Sequence, residues 1–264
     1  MVDSRSRTVI EDYLKVLFNL GEWDPDERSN ANLAARLGVS TSSVSEMIRK
    51  LTAQGLVSHE PYGGIELTAA GRTRAVEMVR RHRLVETYLV ERLGYSWDEV
   101  HDEAEVLEHA VSPRMVERMD HALGRPWRDP HGDPIPTPDG VLHQPPTSPV
   151  ATLSPGSRGF VARFIDHDPE LLRWFAGLGV GLDTEVEVVE QKPFGGPLVV
   201  AVHTGGEPRR VELGIQAVLA LCVAQHRPHP TGAEEPGAGC PYVGCQHLDT
   251  IRAEHSVSGS GQQS

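Results

Sequence analysis

The 264-residue sequence has only three cysteines, Cys222, Cys240 and Cys245, an odd number gathered near the end. That excludes a disulfide framework for the chain as a whole and fits a reducing compartment. No apolar run approaches the roughly 18 residues that a membrane span needs. The segment behind Met1 to Arg7 is broken by Glu11, Asp12 and Lys15 and is no signal peptide. The expectation is a soluble, cytoplasmic protein with no membrane partner. Positive charge is scarce, 25 Lys and Arg against 37 Asp and Glu, for a net charge of -12. On its face that argues against nucleic acid, because phosphate contacts need cations. The distribution reverses the inference: from Arg36 to Arg83 there are eight basic residues against four acidic ones. Also missing are a nucleophile beside a base, a phosphate-cradling loop and an oxyanion-hole pattern, so a metal-dependent hydrolase is the weakest class considered and the chain reads as no enzyme.

The hydropathy period divides the chain. Val9, Tyr13, Val16, Leu17 and Leu20 lie at helical spacing. A short helix over 30–37 ends at Gly38, and Val39 to Ser43 turns and caps a second helix carrying Val44, Met47, Ile48 and Leu51 on one face. Two β-prone runs, 55–60 and 65–68, flank Pro61-Tyr62-Gly63-Gly64 and read as a hairpin wing. A long helix starts at Ala69, a capping box at Ser96 to Glu99 opens another over 100–111, and Pro113 opens a third. A proline-rich connector follows, and from Pro155 short strand-like runs alternate with Gly and Pro. The expected fold is α+β and multidomain. It comprises a winged helix-turn-helix (1–75), a helical metal-binding and dimerisation domain (76–140), a linker (141–154), a small SH3-like β-barrel (155–225) and a disordered tail (226–264).

A helix entering the major groove needs short hydrogen-bonding side chains at its leading end and cations at its flanks, since base edges lie deep and phosphates beside them. Thr41, Ser42, Ser43, Ser45 and Glu46 occupy the leading turns, with Arg49 and Lys50 one turn on. An ordinary capped helical hairpin is the plain alternative. The wing and the local basic excess favour double-stranded DNA. Glu46 is either an acceptor for a cytosine amino group or a solvated acid.

The most informative stretch is Val100 to His109. On a continuous helix His101, Glu105, Glu108 and His109 stand at i, i+4, i+7 and i+8 and share a face, while the preceding helix offers His82 and Glu86 at i, i+4. One such pair alone would read as a solvated face. Two pairs on adjacent helices with Glu108 and His109 read as a site of nitrogen and oxygen ligands without thiolate. That chemistry suits manganese or iron(II), although raw affinity favours copper or zinc. In the tail, Cys240, Cys245 and His247 are an incomplete zinc set and read as incidental.

The order of a winged helix, Arg81-His82-Arg83-Leu84-Val85-Glu86, the 100–109 run, Gly132-Asp133-Pro134-Ile135-Pro136 and a small β domain resembles the DtxR/MntR family of metalloregulators over roughly residues 8–225. The resemblance implies a homodimer with contacts near 100–123, an inverted-repeat operator and metal-activated repression of metal-homeostasis genes. It implies a primary site of Asp12, Glu105, Glu108 and His109. It also implies an ancillary site of His82, Glu86 and His101, completed from the β domain, for which Asp168 is the best match and Glu170 a second. Iron-responsive members carry Met and Cys where this chain has Asp12 and Glu105, so the resemblance points to the manganese branch, with iron(II) as the alternative. Short manganese regulators have a carboxylate where this chain has Lys15, which puts a closely spaced dimetal pair in doubt. The β domain resembles the FeoA type.

Overall fold

In the computed structural model, residues 4–59, 64–165 and 168–228 are described. The wing tip at Pro61 to Gly63 and the Cys240/Cys245/His247 tail therefore lie outside the described residues. The chain divides into two compact units. The first comprises residues up to His82 with Val106–Ser112 and Pro136–Gly140; the second comprises Arg83–Glu105, Pro113–Ile135 and the chain from Val141 onward.

In the first unit, α1 (Ser4–Leu20) buries Ile10, Tyr13, Leu14, Leu17 and Phe18 at the three- and four-residue spacing of one helix face. It leads to α2 (Asn30–Leu37), capped by the Ser29 hydroxyl, which accepts from Asn32 N. α3 (Thr41–Ala53) is capped by Ser40, whose Oγ accepts from Ser43 N at 3.2 Å, and it packs inward through Val44, Ile48 and Leu51. β1 (Val57–His59) and β2 (Ile65–Leu67) pair antiparallel as the stem of the wing. α4 (Ala69–Leu93) follows, and its first turn passes so close to the wing that a Cβ on Gly71 would lie 1.8 Å from Leu56 O. Only glycine permits that approach.

The second unit takes up the later part of α4 and α6 (Pro113–Ala122), joined by Arg92 Nη2 donating to Ala122 O at 2.5 Å. Between them α5 (Val100–Leu107) begins after Ser96, whose N–H donates to Glu99 Oε1, half of the expected capping box. α5 ends four residues short of the expected Val111, and residues 108–110 form a turn. Pro113 disfavours helical backbone at Ser112, so α5 does not run on into α6. Glu108 and His109 thus sit on a turn, not on the face shared by His101 and Glu105.

The same unit carries one six-stranded sheet. Its strands are β3 (Ser148–Pro149), β4 (Arg158–Phe164), β5 (Glu185–Gln191), β6 (Leu198–His203), β7 (Arg209–Leu213) and β8 (Leu221–Ala224), in the order β3-β8-β4-β5-β6-β7, every pair antiparallel. α7 (Pro169–Gly177) and α8 (Ile215–Ala220) supplement it, and Phe164, Leu172, Phe175, Val186, Val188 and Leu198 form its core. The expected closed barrel is corrected: among the described residues β3 and β7 do not pair, and the sheet is open. β3 has only two residues, one of them Pro149 without an N–H, and proline is confined to sheet edges for that reason. β7 blunts the other edge with exposed Arg209, Arg210 and Glu212. A buried loop, 128–135, packs on the sheet: Phe164 N donates to His131 O at 2.9 Å, and Gly132, at φ 96°, stands where a Cβ would meet Ala162 O at 2.2 Å. Trp97 completes the junction, 4.8 Å from the Phe164 ring in an edge-to-face contact.

Candidate metal centre and DNA-reading helix

Thr41, Ser42, Ser43, Ser45, Glu46, Arg49 and Lys50 are all exposed on α3. Ser45 Oγ returns a hydrogen bond to Thr41 O and Lys50 Nζ reaches Ser6 Oγ at 3.2 Å, so the outward face stays polar while Val44, Ile48 and Leu51 pack inward.

In the first unit α1 brings Asp12 to the turn after α5. His109 Nε2 lies 2.8 Å from Asp12 Oδ1 and 3.4 Å from Glu108 Oε1, and the three residues each offer a ligand atom within 4.8 Å of the others. His109 Nδ1 is 3.3 Å from Glu11 Oε2, and Arg7 Nε holds the other Glu11 oxygen at 2.8 Å. With Nε2 turned to the carboxylates, Nδ1–H donates to Glu11, the arrangement that fixes tautomer and orientation in metal-ligating histidines. Sequence reasoning missed Glu11; its place beside Asp12 was the available signal.

Glu108 is the buried centre of this group, fully inaccessible to solvent. Lys15 Nζ lies 2.6 Å from Oε1, His82 Nδ1 lies 2.5 Å from Oε2, and Arg81 Nη1 donates to the Glu108 carbonyl at 3.3 Å. Burial pushes the Glu108 carboxyl up, but the hydrogen bonds and charges of His82 and Lys15 outweigh it and hold the carboxyl below its ordinary range. Asp12 moves the other way: burial, with the Glu108 carboxylate nearby, raises it against His109 and Lys15. Two carboxylates and an imidazole nitrogen, with no thiolate, fit a hard or borderline divalent ion.

The other expected ligands divide between the units. His82 stands one turn before Glu86 on α4 and contributes to the Glu108 group. Glu105 belongs to the second unit, where its Oε1 is 3.7 Å from His101 Nε2, and His101 Nδ1 is 3.1 Å from Glu86 Oε1. Asp168 is the N-cap of α7, its Oδ1 accepting from Glu170 N at 2.8 Å, and it belongs to none of the metal-capable donor groups found among the described residues. Glu86 meets a second group that the sequence reading did not identify: His131 Nδ1 is 3.8 Å from Glu86 Oε2, His131 Nε2 donates to Trp97 O at 2.8 Å, and Arg83 Nε is 3.8 Å from Asp129 Oδ2. Burial opposes a charge on His131, yet Glu86 and Asp129 raise it to about 9; burial and the neighbouring Asp133 and Glu86 carboxylates raise Asp129 to about 7. Asp133 in turn pairs with Arg163 on β4.

Three family models match the chain in succession: the N-terminal DNA-binding domain of iron dependent repressors over residues 7–65, their metal-binding and dimerisation domain over 68–137, and the FeoA domain over 148–214. The chain is 36% identical over 126 residues to the iron-dependent repressor IdeR of Mycobacterium leprae, a match covering 48% of the chain and 54% of that protein. It is 30% identical over 205 residues to the diphtheria toxin repressor of Corynebacterium efficiens, covering 74% of the chain and 87% of the relative. A solved manganese-dependent transcriptional repressor in complex with manganese is 50% identical with a TM-score of 0.77, covering 81% of this chain and 98% of that one. With its DNA-binding, metal-binding and FeoA segments all matched, the chain belongs to the DtxR family of metal-dependent transcriptional repressors.

Proposed function

We propose that this protein is a manganese-activated repressor that binds an inverted-repeat operator as a homodimer and controls metal-homeostasis genes in the cytoplasm. The observation that carries the reading is the convergence of Asp12 with Glu108 and His109, which lie 96 and 97 positions further along the chain. Asp12, Glu108 and His109 would hold the ion, with Glu105 joining them by family resemblance. Bound there, the ion supplies a positive charge that draws carboxylates together. The residues do the rest: Asp12 ties α1 to the turn after α5, Glu11 orients His109, and α1 in turn packs on α2, which packs on α3. The DNA-reading helix is thereby held in one arrangement, and binding tightens because less ordering remains to be done. Oxygen donors at Asp12 and Glu105, where iron-responsive members have Met and Cys, support manganese over iron(II). The manganese-dependent repressor at 50% identity supports it too. Iron(II) is the second reading, favoured by the iron dependent repressors among the relatives. Two-fold symmetry suits an inverted repeat, and Leu93 and Met115, exposed in the second unit, provide apolar surface for a subunit contact.

The decisive experiment uses an operator obtained by binding-site selection and fluorescence anisotropy at matched free Mn²⁺ and Fe²⁺. Asp12→Ala should lower metal-activated affinity about 100-fold while the far-ultraviolet circular dichroism stays that of the folded chain. Unchanged manganese activation would sink the assignment, and stronger activation of the parent protein by Fe²⁺ would move it to iron. Arg49→Ala should weaken binding evenly across operator variants and flatten the dependence of log K on log salt by about one unit, if Arg49 contacts phosphate. A loss confined to one base position would make Arg49 a base reader instead.

A further inference from the structure

Lys15 is a charged residue with only 4% of its side chain exposed, placed inside the candidate metal centre. Its position is specific. Glu108 Oε1 is the oxygen that faces His109 Nε2 at 3.4 Å, and Lys15 Nζ sits on that same oxygen at 2.6 Å. Lys15 follows Asp12 by one turn of α1, so the ammonium and the Asp12 carboxylate emerge from one face of the same helix. The remaining Glu108 oxygen is taken by His82 at 2.5 Å. Any ion that binds Asp12, His109 and Glu108 Oε1 must share that oxygen with an ammonium the chain itself supplies.

Building on the metal-centre reading above, we propose that Lys15 is a tethered cation that sets the affinity of this centre: it occupies the Glu108 oxygen that faces His109 and keeps the affinity for a divalent ion below that of the donors alone. Physically, a buried carboxylate without a cation is costly, so a chain lacking metal needs an internal partner for Glu108. The same partner then repels the incoming ion and competes for its ligand. A lysine does both, being a flexible point charge that can withdraw from one oxygen without a fixed bidentate geometry.

The test is Mn²⁺ titration by calorimetry on the full chain carrying His101→Ala, which takes out the histidine that joins Glu86 and Glu105. Lys15→Met should bind Mn²⁺ about tenfold tighter, a change of about 1.4 kcal/mol, and in EDTA should melt lower than the parent. Lys15→Gln repeats the test with a polar neutral side chain in case Met perturbs packing, and Lys15→Arg, which keeps the charge, should stay near the parent affinity. Unchanged or weaker Mn²⁺ binding in both neutral variants overturns the proposal. If Asp12→Ala in the same background leaves Mn²⁺ binding intact, the metal-centre reading itself falls; if Asp12→Ala abolishes it and the Lys15 variants change nothing, only the role of Lys15 falls.

Discussion

Replacing Glu108 with leucine is expected to destabilise the metal-free protein by about 3–5 kcal/mol, roughly 10 °C in Tm for a chain of this size. The loss arises because Glu108 is the shared anion of two cationic or hydrogen-bonding partners, Lys15 at 2.6 Å and His82 at 2.5 Å, all three of them buried. Leucine removes the charge and strands the ammonium in a site with little access to water, where an ion lacking its partner is far costlier than one in solution. The double variant Lys15→Met/Glu108→Leu removes both charges at once. Apolar replacement of a buried pair is often neutral or stabilising, so the double variant should recover most of the loss. Urea denaturation in EDTA measures the cycle, and a double-variant loss equal to the sum of the singles would show that the two charges do not act as a pair. Acid provides a second readout. Because the folded protein holds the Glu108 carboxyl below its ordinary range, its contribution is present above that range and is lost as pH falls through the folded value. The wild type should therefore lose stability in acid more steeply than the leucine variant.

The parts of this arrangement that were legible in the sequence are those governed by local rules. Ser40 before Thr41, and the spacing of Val44, Ile48 and Leu51, define α3 through capping and periodicity alone, and the exposure of Thr41 to Lys50 follows from the same period. Glu108 and His109 were legible in the 100–109 run itself, and Asp12 through the family resemblance. What local rules missed is long-range or non-periodic. A 3.6-residue period carried α5 through Glu108 and His109, but the helix closes at Leu107 into a turn, and from that turn Glu108 faces Lys15. His82 was grouped with Glu86 by spacing along α4; its 2.5 Å contact with Glu108 spans 26 positions and leaves no mark in either segment. The β runs were visible but not their closure, since whether β3 pairs with β7 depends on sheet order and not on any strand's own pattern. The loop at 128–135, with Gly and Pro, gave only a boundary signal, so burial of Asp129, His131 and Asp133 was not foreseeable from it.

That loop carries the second large effect. Stability should fall as pH rises from 6 to 9.5, and His131→Phe should remove most of the fall. The folded protein keeps the His131 proton up to about pH 9, against an ordinary value of 6.5, because Glu86 and Asp129 overcome the opposition of burial. Folding therefore takes up a proton between those values. The resulting stabilisation, about 3 kcal/mol as an upper figure, is complete below pH 6.5 and gone above about pH 9. Asp129 works in the same direction one window lower: its folded value near 7, raised by burial and by the Asp133 and Glu86 carboxylates, means that its contribution is lost as pH climbs toward 7. The buried Cys222 thiol, also pushed up by burial, bends the curve the same way above pH 8.5 or so. The measurement is therefore the difference between parent and variant, by urea denaturation in EDTA at pH 6, 7, 8 and 9.5. His131→Phe should be markedly less stable than the parent at pH 6, where it lacks the cation between Glu86 and Asp129, and the gap should close by pH 9.5. A gap that is constant across the range would mean that His131 is folded as the neutral imidazole, held by its 2.8 Å bond to Trp97 O alone. The charge of the buried loop would then have to be balanced by Arg83 and Arg163, the two arginines that already contact Asp129 and Asp133.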